Sequence, residues 1–160
     1  YYRVARKVFT GKKIVALDVL DAKDVKPAVK YVKAFRKVAK PKPKYWGIHN
    51  YSDTNRGSTT RTRALIAAIG DRKAEVWLTE TGGQLKLRGN VFGEAEAAKA
   101  LKCMFSMPKL FPQIKRLYIY QFHGAQKTEE FDAGLVDSTL KKKRKGYRVV
   151  QKRQSAKCRP

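Results

Sequence analysis

A single carboxylate, Glu80, has the sequence surroundings that catalytic carboxylates favour. It follows the apolar run 75–79 and precedes Gly82 and Gly83. A carboxylate at the end of a strand can be held rigidly and aimed into a pocket, and glycines let the backbone turn away without covering it. Rigid placement is what a carboxylate nucleophile needs at an anomeric carbon. A carboxylate that caps the following loop would have the same surroundings, so position alone leaves both roles open.

Other polar side chains also follow apolar runs of the sequence. In parallel α/β folds the functional site forms where strands end and helices begin, so such residues are expected to meet at one edge. His49 and Tyr51 are two residues apart, which predicts that they point to the same side of one strand. They could bind sugar hydroxyls, or form a buried polar pair satisfied by the backbone. The candidate substrate-binding residues are His49, Asn50, Tyr51, Gln121 and His123.

Four strands and several helices are predicted to position these residues. The strands are rich in β-branched and aromatic residues, and two of them lack clean polar alternation, which suits parallel strands covered on both faces. The predicted strands are 14–20, 45–51, 75–79 and 116–122, and the predicted helices are 1–8, 25–40, 60–69, 94–107 and 145–153. This alternation predicts an α/β fold with parallel strands joined by right-handed crossovers. It fits four units of a TIM (β/α)₈ barrel or a small doubly wound sheet.

Chain length limits how much of a barrel is present. A complete (β/α)₈ barrel needs about 250 residues, and the smallest about 200, whereas this chain has 160. We therefore expect half of a barrel in residues 1–150 and a basic tail in residues 151–160. A half barrel exposes two strand edges that invite pairing.

Two strand-end segments resemble clan A glycoside hydrolases. Residues 46–51 (Trp-Gly-Ile-His-Asn-Tyr) resemble the His-x-Tyr of strand six in that clan, and residues 76–83 (Val-Trp-Leu-Thr-Glu-Thr-Gly-Gly) resemble the Thr-Glu-x-Gly of strand seven. Residues 131–137 (Phe-Asp-Ala-Gly-Leu-Val-Asp) look like the segment after strand eight in cellulase-like and arabinofuranosidase-like bacterial proteins. The segments agree with the clan in order and spacing.

The resemblance implies a retaining mechanism on O-glycosidic bonds, with Glu80 as nucleophile. His49 would bind the carbohydrate substrate, and Tyr51 would hydrogen-bond to Glu80. The clan places its acid/base Glu after an Asn at the end of strand four, and this chain has no Asn-Glu pair. We therefore expect activity to depend on a missing N-terminal half barrel or on a second copy. Asp18 and Asp21 are the alternative acids within the chain.

Charge suggests a second class of partner. The formal charge is +24, and residues 141–160 carry ten basic side chains and no acidic one. Such an excess attracts polyanions, so the alternative function is a non-catalytic carbohydrate- or polyanion-binding module on a degenerate half barrel. The lysines of segment 25–40 fall on one helical face and are interpreted as a solvated surface.

The remaining features predict neither cofactor nor membrane span. The two cysteines form no Cys-x-x-Cys pair, which argues against zinc and redox sites; Cys103 is expected to pack in the core and Cys158 to be free. No apolar run reaches the ~18 residues of a membrane span, and no signal peptide opens the sequence. Composition does not define the compartment, although the resemblance suggests a bacterial and secreted protein.

Overall fold

The structure is a computed structural model that describes residues 1–159. Helices and strands alternate through most of the chain. In chain order they are α1 (Tyr2–Val8), β1 (Val15–Leu20), α2 (Lys26–Val38), β2 (Tyr45–His49), α3 (Tyr51–Arg56), α4 (Thr60–Ile69), β3 (Glu75–Thr81), β4 (Lys86–Leu87), β5 (Asn90–Val91), α5 (Glu94–Leu110), β6 (Ile114–Ile119), β7 (Phe131–Asp132) and α6 (Lys145–Gln151).

Four of the strands form one parallel sheet. Their order is β1-β2-β3-β6, and every neighbouring pair is parallel. The predicted parallel α/β architecture is therefore confirmed. The carboxyl ends of all four strands lie at one edge of the sheet, where residues 18–21, 49–51, 79–83 and 119–123 meet.

The main core lies between one face of this sheet and the helices. Alternate residues of the strands point to the helices and are buried, among them Trp46 and Ile48 of β2 and Val76 and Leu78 of β3. The helices supply apolar partners at helical spacing, such as Leu65 and Ile69 of α4, Val32 of α2 and Met107 of α5. Burial of this kind contributes roughly 1.5–3 kcal/mol for each large side chain.

The opposite face of the sheet carries aromatic rings. Trp77 lies 5.7 Å from Tyr45 and 6.0 Å from Tyr118, measured between ring centroids. The guanidinium of Arg116 lies 4.5 Å from the centroid of Trp77. No helix described within residues 1–159 covers this face, and Tyr118 is 43% exposed. The outer edges of β1 and β6 pair with no other described strand.

Several elements differ from the sequence-based prediction. The strand predicted at 116–122 is β6, Ile114–Ile119, and α3, β4, β5 and β7 were not predicted. The second strand ends at His49, and Tyr51 opens a short helix, α3, instead of ending the strand. Helix α5 continues past its predicted end at residue 107 to Leu110, and it contains Pro108. Pro108 has no N–H to donate to the carbonyl of Met104, so it costs α5 one helical hydrogen bond, close to the point where the helix ends.

Cys103 packs in the core as predicted, but the prediction that Cys158 is free was wrong. Cys103 of α5 forms a disulfide with Cys158, and both are buried. The disulfide fixes the C-terminal strap, defined here as residues 152–159, against the domain. Ala156 N–H donates to the carbonyl of Lys102 at 3.0 Å, and Arg159 N–H donates to that of Gly57 at 2.6 Å. The strap therefore joins α5 to the end of α3.

A small antiparallel sheet joins the segment after β3 to the segment after β6. Its strand order is β5-β4-β7. Asp132 of β7 accepts two hydrogen bonds from the guanidinium of Arg144, at 2.8 and 2.9 Å. Arg144 directly precedes α6, so this ion pair ties the last helix to the loop after β6. None of the helices described within residues 1–159 is long and apolar enough to cross a membrane.

Candidate active site at the carboxyl ends of the strands

Glu80 lies at the mouth of the sheet, between the hydroxyl of Tyr51 and the imidazole of His49. The hydroxyl of Tyr51 donates to its Oε1 at 2.9 Å. The Nδ1 atom of His49 lies 3.2 Å from its Oε2, and the side chain of Glu80 is 31% exposed. Both carboxylate oxygens are therefore held in place while part of the group faces solvent.

A β-bulge determines where Glu80 points. Ile48 pairs with Leu78, but the next residue, His49, pairs with Glu80, so Thr79 is an extra residue on β3. Regular alternation from Val76 and Leu78 would direct Glu80 toward the helices. The bulge shifts that alternation by one residue and places Glu80 beside His49, which is the effect bulges commonly have near active sites.

His49 lies between two carboxylates. Its Nε2 atom is 3.3 Å from Oδ1 of Asp18, and its Nδ1 faces Glu80. Asp18 also accepts a hydrogen bond from the hydroxyl of Thr79. The imidazole therefore has a carboxylate oxygen within 3.3 Å of each of its ring nitrogens.

Gly47 makes the approach of Asp18 to His49 possible. A Cβ at this position would collide with the carboxylate of Asp18 and would lie 2.7 Å from the carbonyl oxygen of Leu17. A glycine is therefore required below His49 on β2. The sequence resemblance includes this residue, although its role follows only from the packing.

Tyr51 acts as a neutral donor. Burial raises the pKa of its phenol well above the ordinary value, and the hydrogen bond to the Glu80 carboxylate raises that pKa further. Tyr51 therefore keeps its proton and holds Glu80, and it is not itself a base. Its ring packs edge-on against Phe131 at 5.5 Å, which fixes the direction of the hydroxyl.

Asp21 positions α3, and its carboxylate does not hydrogen-bond to the side chains of Glu80 or His49 at the mouth of the sheet. It is fully buried, and its two carboxylate oxygens accept hydrogen bonds from the N–H groups of Ser52 and Asp53, each at 2.7 Å. These are unpaired donors at the start of α3, which Asp21 caps from a distant segment. Burial raises the pKa of Asp21 to about 7, although both N–H groups act in the opposite direction. An Asp that caps a helix in this way is not free to serve as an acid for substrate.

The raised pKa of Asp21 predicts how stability depends on pH. The folded state holds the proton more tightly than the unfolded state, whose Asp pKa is about 3.9. Stability should therefore fall as the pH rises through the folded-state pKa, by about 2–3 kcal/mol between roughly pH 5 and pH 8. Urea unfolding of the protein and of Asp21→Asn at both pH values measures this. The variant should lose most of the dependence, whereas Asp24→Asn should retain it. An unchanged dependence in Asp21→Asn would refute this assignment.

The glycine pair after Glu80 serves close packing. A Cβ on Gly82 would collide with the carbonyl of Tyr120, and one on Gly83 with the carbonyl of Ala97. Asn55 of α3 donates to the carbonyl of Gly82 at 2.9 Å and accepts from the N–H of Gln84 at 2.7 Å. The helix that carries Tyr51 is thereby joined to the loop that follows Glu80.

Three of the predicted site residues lie away from Glu80. Asn50 is completely buried, and neither its amide nitrogen nor its amide oxygen has a partner among residues 1–159. Gln121 donates to the carbonyl of His123 at 2.7 Å. The ring of His123 lies 3.1 Å from the carbonyl of Ser138. None of the three hydrogen-bonds to Glu80, His49 or Tyr51 within the described chain.

Tyr120 was missed by the sequence analysis. It is 45% exposed, and its ring lies 5.9 Å from Phe131, which also contacts Tyr51. Its N–H donates to the carbonyl of Thr81, one residue after Glu80, at 2.8 Å. Its position just before Gln121, at the end of the fourth strand, was the available signal. Among residues 1–159 no group of three or more His, Cys, Asp or Glu side chains could hold a metal ion.

Known proteins resemble this chain in structure. No protein-family model and no curated protein matches the sequence. The structure resembles xylanase 10B from Thermotoga maritima with a TM-score of 0.69 and 14% identity, over 94% of this chain and 49% of that one. It also resembles a GH128 exo-β-1,3-glucanase from Aureobasidium namibiae with a TM-score of 0.66 and 13% identity, over 96% and 57%.

A third match comes from a soil metagenome. It is a GH10 endoxylanase from sugarcane soil with a TM-score of 0.66 and 15% identity, over 96% of this chain and 52% of that one. The chain thus spans about half the length of each of these proteins. The matches are glycoside hydrolases with TIM barrels, whereas a cellulase-like or arabinofuranosidase-like relationship stays a prediction. At these identities the likeness concerns the fold, and it shows that the chain is half of a TIM barrel.

Proposed function

We propose that this chain is the nucleophile-bearing half of a retaining glycoside hydrolase, with Glu80 as the nucleophile. The observation that carries the proposal is the placement of the Glu80 carboxylate between the Tyr51 hydroxyl and the His49 imidazole. A nucleophile at an anomeric carbon must be ionised, oriented and accessible. The Tyr51 hydroxyl and the His49 imidazole fix the orientation of the Glu80 carboxylate, and its partial exposure leaves it accessible.

The acid/base residue would come from outside this half barrel. Asp18 and Asp21 are the candidates for the acid/base role within the chain, and both accept hydrogen bonds from neighbouring groups. In retaining enzymes the two catalytic carboxyl groups lie about 5–5.5 Å apart across the scissile bond. We therefore propose that a second carboxyl group is supplied by an N-terminal half barrel or by a second copy that packs on the uncovered face.

The proposed substrates are polysaccharides, with xylan and β-1,3-glucan as the first to test. These two come from the printed names of the structural matches, a xylanase and a β-1,3-glucanase. The Cys103–Cys158 disulfide supports an oxidising compartment such as the exterior of the cell. A secreted bacterial protein, as the sequence resemblance suggests, would meet this condition.

An activated substrate tests the nucleophile without a second half barrel. A 2,4-dinitrophenyl 2-deoxy-2-fluoroglycoside has a leaving group that needs no proton from an acid. Attack of a Glu80 oxygen on the anomeric carbon would form an ester bond, and the bond to the dinitrophenyl oxygen would break with its electron pair on the departing phenolate. We expect up to one equivalent of phenolate for each protein molecule, and the sugar on the peptide that contains Glu80. Xylosyl, glucosyl and laminaribiosyl forms should be compared.

The result should change when a second half barrel is supplied. With an acid/base group present, turnover of an unactivated substrate should appear, because general acid catalysis contributes roughly 10²–10⁴-fold. Labelling of another residue, or no labelling of Glu80 under either condition, would refute the proposal.

A non-catalytic carbohydrate-binding role is the second candidate. It is favoured by the uncovered aromatic strip of Tyr45, Trp77 and Tyr118 on the sheet face opposite the helices. Aromatic rings offer flat apolar surfaces to sugars. Binding of a neutral polysaccharide that Trp77→Ala abolishes and Glu80→Gln leaves intact would support this role. The reverse pattern would exclude it.

A further inference from the structure

Helix α2 presents an uncompensated stripe of positive charge. Lys26, Lys30, Lys33 and Lys37 follow one another at helical spacing and are exposed. The stripe is about 16 Å long, at about 1.5 Å for each residue. Neither α2 nor α4, the helix packed beside it, contains an acidic residue. None of the four lysines forms an ion pair among residues 1–159.

The stripe borders a groove between α2 and α4. The groove has a volume of about 650 Å³, and its lining consists of the four lysines together with Val25, Val29, Ala34 and Ala64. Arg36 of α2 donates to the last carbonyls of α4, at 3.3 Å to Ala68 and 3.1 Å to Ile69. The two helices that form the groove are therefore held together at one end.

We propose that this groove binds an anionic polysaccharide, with carboxylate or sulfate groups on the lysine rim and sugar rings on the apolar floor. The Cβ atoms of lysines three or four residues apart on a helix lie about 5–6 Å from one another. This spacing is comparable with the length of one sugar unit. The floor side chains offer no hydrogen bonds, but they can contact the C–H faces of sugar rings. A nucleic acid would present its phosphates to the rim and leave the floor uncontacted, and no aromatic residue lines the groove to stack on a base.

This site is separate from the mouth that contains Glu80. It lies on the helices that cover the outer side of the sheet, whereas Glu80 lies at the carboxyl ends of the strands. The inference does not depend on the proposed function, because it uses only the charge and lining of the groove. The lysines of α2 were interpreted from the sequence as a solvated surface, and the proposal assigns them a binding role instead.

Charge substitutions at two places test the groove against general attraction. One variant carries Lys26→Gln, Lys30→Gln, Lys33→Gln and Lys37→Gln. The matched control carries Lys12→Gln, Lys73→Gln, Lys109→Gln and Lys115→Gln, which are exposed and lie outside the groove. Both lose four charges, and unchanged thermal unfolding confirms that both are folded. The probes are polygalacturonate, heparin, a neutral xylan and a 20-bp DNA duplex, measured by titration calorimetry from low to high salt.

The groove predicts unequal losses in the two variants. The unmodified protein should bind polygalacturonate or heparin with an affinity that falls as salt rises, because binding displaces counterions. The groove variant should lose about tenfold or more in affinity, and its log–log salt slope should decrease by about 3. The control should lose less than about threefold. Equal losses in both variants, or groove-dependent binding that is tighter for the duplex than for either polysaccharide, would overturn the proposal.

Discussion

Glu80→Gln is expected to abolish phenolate release from the activated fluoroglycoside. The amide has the shape of the carboxylate and can still accept the Tyr51 hydrogen bond, but it carries no charge and cannot form the glycosyl ester. Removal of a covalent nucleophile commonly lowers rates by several orders of magnitude, so we expect a decrease of at least about 10³-fold. Stopped-flow absorbance of the phenolate measures the rate, and intact-protein mass spectrometry measures the ester.

Glu75→Gln is the matched control for this experiment. Glu75 lies at the opposite end of the same strand, and its carboxylate accepts from the indole N–H of Trp77 at 3.4 Å. The substitution is chemically identical, but it is far from the carboxyl ends of the strands. Phenolate release should remain within about twofold of the unmodified rate, as is usual for substitutions away from the reacting groups. Equal rates in Glu80→Gln and Glu75→Gln would show that the release does not come from Glu80.

Removing the disulfide is expected to lower the free energy of unfolding by about 4 kcal/mol. Cys103 and Cys158 are separated by 55 residues, and cross-linking a loop of that length restricts the unfolded chain by about this amount in the chain-entropy treatment. The variant Cys103→Ala/Cys158→Ala should therefore unfold at a lower urea concentration than the oxidised protein.

The reduced protein provides the control for this variant. It keeps both cysteine side chains and lacks only the covalent bond, so the comparison separates loss of the cross-link from loss of buried sulfur. Hydrogen exchange should also quicken in residues 51–57, because the strap binds the carbonyls of Arg56 and Gly57 through Arg159. Equal stability of the oxidised and reduced forms would mean that the disulfide has no stabilising role.

The sequence predicted the elements well where local signals were strong. Helix α4 was placed within its true bounds, since apolar residues recur at helical spacing and Gly70 ends it in the left-handed conformation. Helix α3 was missed because its six residues are mostly polar and show no apolar period. Its start is stabilised by Asp21, which is 30 or more residues away in the chain. A cap supplied from such a distance leaves no local pattern.

The arrangement of the candidate site was predicted in part. The strand-end argument brought the residues together but did not explain how two of them reach the mouth. His49, Tyr51 and Glu80 do meet, as the strand-end positions suggested. However, Tyr51 reaches Glu80 from a helix, and Glu80 reaches the mouth through the bulge at Thr79. Alternation along β3 cannot reveal an inserted residue. The pairing of Cys103 with Cys158 was likewise invisible, because two cysteines far apart in sequence give no information about their distance in space.

The free edges of β1 and β6 make ionic strength a decisive variable for the isolated protein. Both edges offer unsatisfied backbone donors and acceptors, so the edge of one molecule can add to that of another. The formal charge of +24 on every molecule opposes such self-association. Salt shortens the range of this repulsion and leaves the backbone contacts nearly unchanged. High salt should therefore promote self-association of the protein, and it should also release a bound anionic polymer from its surface.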